Sequence, residues 1–400
     1  MKIVWVAPYD LRQLQPELRL ARPVTRGHAC SWIVNLADAL ARRSDVELHI
    51  ITFSPLVLRD QTVRKGNATF HVLKSGVPIL NRSYPSILPL DLLTGFQWEV
   101  SRIRWACATI KPEIVHAHGT EGCYALGGLA TGLPCLISIQ GIVGELFKVE
   151  PSIRFWLVRR LEARAIKRGR FFGCRTDFDT GYVKMLNPKG EIFFLPEAVN
   201  PCFFKVNWTP PERPQWLFVG SLVRRKGIET LLEAVALLRP QASAARVVVV
   251  GDGSPAYLSA LRAQCKSLGI ERIVDFVGFL PADGIAQLHA QSQLLILPSE
   301  IENSPNAVAE ALVSGLPVIA SSVGGIPSMI VNGKTGILVP PKNPHALAQA
   351  MVTLLASKDL QISISKQAVT LARRRHFPTN VAAATLDVYA EILRRKDYHE

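Results

Sequence analysis

The stretch LLILPSEIENSPNAVAEALVSGLPVIA, residues 294–320, decides the fold. Leu294 to Leu297 is a short apolar run stopped by Pro298, which predicts a buried parallel strand. A polar loop follows, then a helix signal: Ser304 as N-cap, Pro305 at the first helical position, and Val308, Ala311 and Leu312 at helical spacing. Gly315 ends that helix, and Leu316 to Ala320 reads as the next strand. A helix whose amino end opens at the carboxyl end of a strand is an anion site, because its unpaired N–H groups and its dipole point the same way. Glu302 lies just before this helix and Glu310 in its second turn. N–H groups for a diphosphate and carboxylates for hydroxyls together suit a sugar nucleotide, whereas an isolated pair of Glu would be solvated surface.

Outward from this stretch, the strand-and-helix rhythm fills the chain. Just ahead of it, WLFVGS, Arg246 to Val250 and Ile273 to Val277 predict strands, with helices over Ile228 to Leu238 and Pro255 to Leu268. Toward the amino terminus, Lys2 to Ala7, Val46 to Phe53, Ala68 to Leu73, Ile114 to His118, Cys135 to Gln140 and Phe171 to Cys174 predict a second set. The proline-rich NPCFFKVNWTPPERPQ between them reads as a linker. The expectation is therefore an α/β protein of two doubly wound, Rossmann-like domains facing a cleft. Residues 1–200 form the first, 201–378 the second, and 379–400 a helix that crosses back to the first.

Ligands of such sheets sit at the carboxyl ends of the strands. That places His118 and Gly119, Gln140 and Gly141, and the pair Arg225 and Lys226 ahead of Gly227, where chemistry is expected. His116 lies deeper in its strand and reads as structural. Gly27, at the start of a helix carrying Ile33, Leu36, Ala37 and Leu40, permits close backbone approach to an anion. Two cations beside a diphosphate gain value as charge builds on a departing phosphate.

Composition narrows the partners. The 400 residues carry 46 Lys and Arg against 32 Asp and Glu, a net charge of +14. Residues 1–200 hold 26 basic and 17 acidic side chains, so the first half carries most of the excess. The basic residues are spread without a recognition motif, and nucleic acid is not an expected partner. Seven scattered cysteines without C-x-x-C argue for reduced thiols in a cytoplasmic protein and against structural zinc. MKIVWVAPYD is too short for a signal peptide, and no apolar run approaches the length of a membrane span. PSIRFWLVRRLEARAIKRGRFFGCR, residues 151–175, has eight basic residues and one acid among aromatic and aliphatic ones. Such a helix can lie on an anionic membrane surface, at the inner membrane face, or pack its apolar stripe on its own sheet. The segment 78–105, with Trp98 and Trp105, is a second candidate for acceptor or lipid contact.

VGSLVRRKGIETLLEAV, VVVVGDGS and LPSEIENSPNAVAEALVSGLPVIASSVGGIPSMIVNGKTGILV together resemble the family-4 retaining glycosyltransferases of the two-Rossmann-domain (GT-B) fold. The likeness is densest over residues 215–345, and RGHA, VHAHG and SIQG continue it in the first half. The resemblance implies that Glu310 binds the ribose, Glu302 the donor sugar, Arg225 and Lys226 the diphosphate, and the backbone from Asn303 through Ser304 and Pro305 to Asn306 the distal phosphate. It further implies that Gly27 approaches the diphosphate and His118 the transferred sugar. Transfer from a nucleotide-diphosphate sugar to a glycan, lipid-linked or small-molecule acceptor, with retention and with neither cofactor nor metal, is the expected activity. A sugar-nucleotide epimerase or hydrolase on the same scaffold is the alternative. Ser221, Asn303-Ser304-Pro305, Ser328 and Gln140 depart from the family's common residues. Asp177-Phe-Asp179 matches the D-x-D of metal-binding transferases, but an acid ahead of a helix also favours its amino end.

Overall fold

In the computed structural model, which describes residues 1–24, 30–75, 90–238 and 245–396, the apolar runs become strands of two separate sheets. The first sheet contains β1 (Lys2–Val6), β2 (Glu47–Ser54), β3 (Gln61–Lys65), β4 (Ala68–Lys74), β5 (Ile114–His118), β6 (Cys135–Ser138), β7 (Phe171–Cys174) and β8 (Glu191–Phe194). Their order is β3-β4-β2-β1-β5-β6-β7-β8. Within it β3 alone runs antiparallel to its neighbour. It is an edge strand with Arg64 and Lys65 exposed, charges that discourage pairing with another chain. Its one aliphatic residue, Val63, left no apolar run to read in the sequence. The central strands are apolar throughout because helices cover both faces: Ile3 and Trp5 pack into one core, Val4 and Val6 into another.

The second sheet contains β9 (Gln215–Val219), β10 (Arg246–Val250), β11 (Val274–Gly278), β12 (Leu294–Leu297), β13 (Val318–Ser321) and β14 (Ile337–Val339). Its order, β11-β10-β9-β12-β13-β14, is the doubly wound arrangement, with the winding reversed between β9 and β12. In the first sheet the same reversal falls between β1 and β5. The crevice of such a sheet opens between the two strands where the winding reverses.

The chain divides into one unit of residues 1–198 with the terminal segment from Pro378, and a second of residues 199–377. The terminal helix Pro378–Lys396 buries Val381, Ala382, Tyr389 and Ile392 in the core that also holds Ile33, Leu36 and Leu40 of the helix Ser31–Ala41.

Two local expectations are corrected. The helix after β12 begins at Asn306, with Pro305 as its N-cap at φ −70° and ψ 120°. The Pro305 carbonyl accepts from the N–H of Val308 and of Ala309, so Pro305 is the last non-helical residue. Ser304 is not the cap; its hydroxyl donates to Met329 Sδ at 3.5 Å. The strand after Gly315 begins at Val318, two residues later than expected, because the chain first turns through Gly315 at φ 80°. Gly27 and the RGHA motif lie outside the described residues, as do residues 78–89 of the second lipid-contact candidate.

Candidate functional site

The winding reversal of the second sheet brings together two loops, one after β9 and one after β12. The first is a single 3-10 turn, Arg224–Lys226, closed by Gly227 at φ 67°. A Cβ on Gly227 would stand 1.9 Å from the Pro298 carbonyl oxygen, so glycine is what lets the two loops touch. The Glu300 N–H donates to the Arg225 carbonyl at 2.8 Å, locking them together. The loop after β12 is gripped from its other side by Gly324, at φ 53°, where a Cβ would meet the Glu302 carbonyl oxygen at 1.8 Å. The Gly325 N–H donates to that carbonyl at 3.1 Å.

This scaffold fixes one ion pair. Lys226 Nζ donates to Glu302 Oε1, and both side chains are largely buried. The Ser299 hydroxyl, fully buried at the end of β12, donates to the same oxygen at 2.8 Å. Thus Lys226 and Glu302, 76 positions apart in sequence, are a contact pair. Asn303, Ser304 and Pro305 are buried between this pair and the helix Asn306–Ser314, and Asn306 Oδ1 is buried with no hydrogen-bond partner among the described residues. Glu310 lies half-buried one turn into that helix. Its charge reaches Cys202, whose thiol is pushed up to about 12 by burial first and then by Asp283 and Glu310. A cation, a carboxylate and a helix amino end at one crevice can hold an anion next to a hydroxyl-bearing group.

In the first unit, the reversal point brings His118 at the end of β5 beside β1. His118 is buried, with its ring 4.5 Å from that of Trp5 and 3.8 Å from that of His116. Its Nε2 has no hydrogen-bond partner among the described residues. Burial, then the neighbouring His116 and Arg175, hold its pKa well below the usual value, so the ring is neutral. His116 is built into the core. Its Nδ1 lies 2.6 Å from the Tyr389 hydroxyl and its Nε2 2.7 Å from Ser138 Oγ. Trp5 Nε1 donates to the Tyr389 hydroxyl at 2.9 Å, so the phenol links Trp5 to His116, and the ring of His116 carries the chain on to Ser138.

Three participants escape sequence reading: Ser299, Tyr389 and Glu121. The Glu121 carboxylate accepts from the Gly141 N–H at 2.6 Å and ties the loop after β5 to the loop after β6. Burial raises its pKa, with a smaller contribution from Glu162. None of the three carries a motif. Only the position of Ser299 directly after a strand-ending proline gave a signal.

The other candidates resolve as follows. Asp179 is the N3 residue of a capping box on the helix Asp177–Leu186, accepting from the N–H groups of Arg175, Thr176 and Thr180. Its oxygens are thereby committed to the helix start. Among the described residues no cluster of three His, Cys, Asp or Glu side chains could hold a metal ion. The basic stretch forms the helix Ile153–Arg168, whose inward stripe of Val158, Glu162, Ala165 and Ile166 packs on its own unit. Glu162 is fully buried and accepts from Thr120, Tyr182 and the N–H groups of Val143 and Gly144. Outward, Ile153, Arg154, Trp156, Arg160, Arg164, Lys167 and Arg168 remain exposed. Trp98 and Trp105 are exposed on the helix Gln97–Ile110. Among the described residues no helix is long and apolar enough to cross a membrane.

A family model described as "Glycosyl transferases group 1" matches residues 213–357. An uncharacterized glycosyltransferase of Methanocaldococcus jannaschii is 29% identical over 216 residues, which span 50% of this chain and 54% of that protein. The D-inositol 3-phosphate glycosyltransferase of Streptomyces bingchenggensis is 34% identical over 313 residues, 76% of this chain and 67% of that protein. The matched stretch is thus about half the length of the first relative and two thirds of the second. Among solved structures, the sucrose-phosphate synthase of Thermosynechococcus elongatus shares the two-Rossmann-domain fold. Its TM-score is 0.81 at 19% identity, covering 99% of this chain and 100% of that one.

Proposed function

We propose, because the chain belongs to the group 1 glycosyl transferases, that it moves a sugar from a nucleotide-diphosphate sugar to a glycan, lipid-linked or small-molecule acceptor, with retention of anomeric configuration and without a metal. The observation that carries the reading is the pairing of Lys226 with Glu302 ahead of the helix Asn306–Ser314, at the crevice of the second sheet. Lys226 and Arg225 face the diphosphate, with the amino end of that helix at the distal phosphate. Glu302 takes the sugar hydroxyls and Glu310 the ribose. Gly27 and His118 belong to the same reading, on the side of the diphosphate and of the transferred sugar. His118 is a neutral ring whose buried Nε2 has no partner among the described residues, which suits a hydroxyl better than a phosphate.

In the step itself, the bond from the anomeric carbon to the phosphate oxygen breaks with its electron pair going to the diphosphate. The acceptor hydroxyl oxygen bonds to that carbon on the same face, and its proton passes to the leaving phosphate oxygen. Such a step asks for charge stabilisation and alignment rather than a protein nucleophile. Replacing Lys226 or Arg225 with Ala cuts turnover by roughly 10² to 10³, the size of one lost preorganised donor. The assay runs with a chelator present and with products analysed with and without acceptor. Near-normal turnover in both variants removes the clamp, loss of wild-type activity on chelation removes metal independence, and an altered sugar formed without acceptor favours the epimerase or hydrolase.

The exposed cations of the helix Ile153–Arg168, with Ile153 and Trp156 at its outer end, suit a peripheral contact with an anionic membrane, on the cytoplasmic side. Arg160 lies over the Trp156 ring at 4.2 Å, which joins charge and aromatic surface. The protein then sediments with anionic vesicles at low salt and is released at high salt. Equal recovery with neutral and anionic vesicles counts against the contact.

A further inference from the structure

The two oxygens of Glu302 are unequal. Oε1 accepts from both Lys226 Nζ and the buried Ser299 hydroxyl, while no donor among the described residues reaches Oε2. Glu302 is likewise the one ion-pair partner of Lys226 among the described residues. A cation placed for a diphosphate is therefore neutralised by a carboxylate placed for a sugar, and that carboxylate keeps one oxygen for a ligand.

We infer that Glu302 governs release of the nucleoside diphosphate, and that Ser299 is the positioning residue that makes this possible. The inference rests on the donor reading above and adds a step to it. While the intact nucleotide sugar is bound, a sugar hydroxyl donates to Oε2 and offsets the repulsion between Glu302 and the diphosphate. Once the sugar has left, that hydrogen bond is gone and the repulsion remains. The carboxylate also retains its hold on Lys226, so the diphosphate meets a cation already paired. Product is thus held less tightly than substrate, in a site whose other charges would favour the more highly charged product. Ser299 contributes by occupying Oε1 from within the fold, so Glu302 does not rotate to spend both oxygens on Lys226.

The test is calorimetric titration of UDP, GDP and ADP in turn into the wild type and Glu302→Gln. The amide keeps the shape and removes the charge, so it binds whichever diphosphate the wild type binds roughly tenfold tighter, as expected for removing one like charge a few ångströms away. Equal or weaker binding overturns the release role while leaving the donor reading in place. A wild type that binds none of the common nucleoside diphosphates overturns both. A second measurement needs no Glu302 variant: the wild type binds the intact nucleotide sugar at least threefold tighter than the matching free diphosphate. Ser299→Ala narrows that gap while its affinity for the free diphosphate stays within threefold of wild type. A wild type preferring the free diphosphate overturns the inference, and an unchanged gap in Ser299→Ala removes the positioning role.

Discussion

At the scale of single residues, the histidines show how burial assigns roles. His116 and His289 are buried with pKa values pushed down to about 3, His71 to about 4, and His118 is also held well down. Desolvation is the leading cause in each. Each group binds its proton more weakly folded than unfolded. The unfolded chain therefore takes up more protons as pH falls below about 6.5, and the stability they contribute drains away toward pH 3. Glu121 and Glu162, whose pKa values are raised by burial, oppose part of this loss. Thermal unfolding at pH 7.5 and pH 5.0 checks the balance, with the midpoint lower at pH 5.0 by several degrees, on the order of 5 °C. A midpoint that holds or rises on acidification contradicts it.

At the scale of elements, the loop between β12 and the helix Asn306–Ser314 is shaped by its neighbours. Pro298 and Glu302 each offer a carbonyl to a glycine that no larger residue could replace in place. Gly324→Ala puts a Cβ into the Glu302 carbonyl at positive φ, and costs about 1–3 kcal/mol of stability. It also displaces Glu302, so turnover falls about tenfold or more, since a small misplacement of a positioned group is expensive. Gly333→Ala is the comparison: it has a similar φ of 75° but open space around it. It carries backbone strain without the loss of turnover. Equal turnover in the two variants, measured alongside chemical denaturation, counts against the grip on Glu302. The helix Ile153–Arg168 makes a related point. Its one acid, Glu162, is the node that four donors share, so the face poor in charge points inward because that is where the carboxylate is needed.

At the scale of the whole molecule, each sheet is wound outward from a central pair, and the candidate residues sit at the carboxyl ends of those central strands: Lys226 after β9, Glu302 after β12, His118 as the last residue of β5. The terminal helix belongs to the first unit although it follows the second in sequence. Tyr389 accounts for this at atomic level, since its hydroxyl hydrogen-bonds both Trp5 and His116, whose polar atoms are buried.

The sequence alone determined the α/β character, the strands of both sheets with long apolar runs, and the helix that carries Glu310 between Glu302 and Gly315. These are local facts: burial on both faces demands continuous apolar residues, and a helix end demands a Gly at positive φ. Edge strand β3, with one aliphatic residue, and β8, whose residues are only partly covered, lacked that signal. Only the tertiary structure decided that Lys226 reaches the Glu302 oxygen that Ser299 also occupies, and that Tyr389 holds His116. Lys226 with Glu302 and Tyr389 with His116 join residues whose local sequences carry no trace of one another. A hydrogen bond across many positions is fixed by which strands lie side by side, and that is a property of the sheet rather than of any stretch within it.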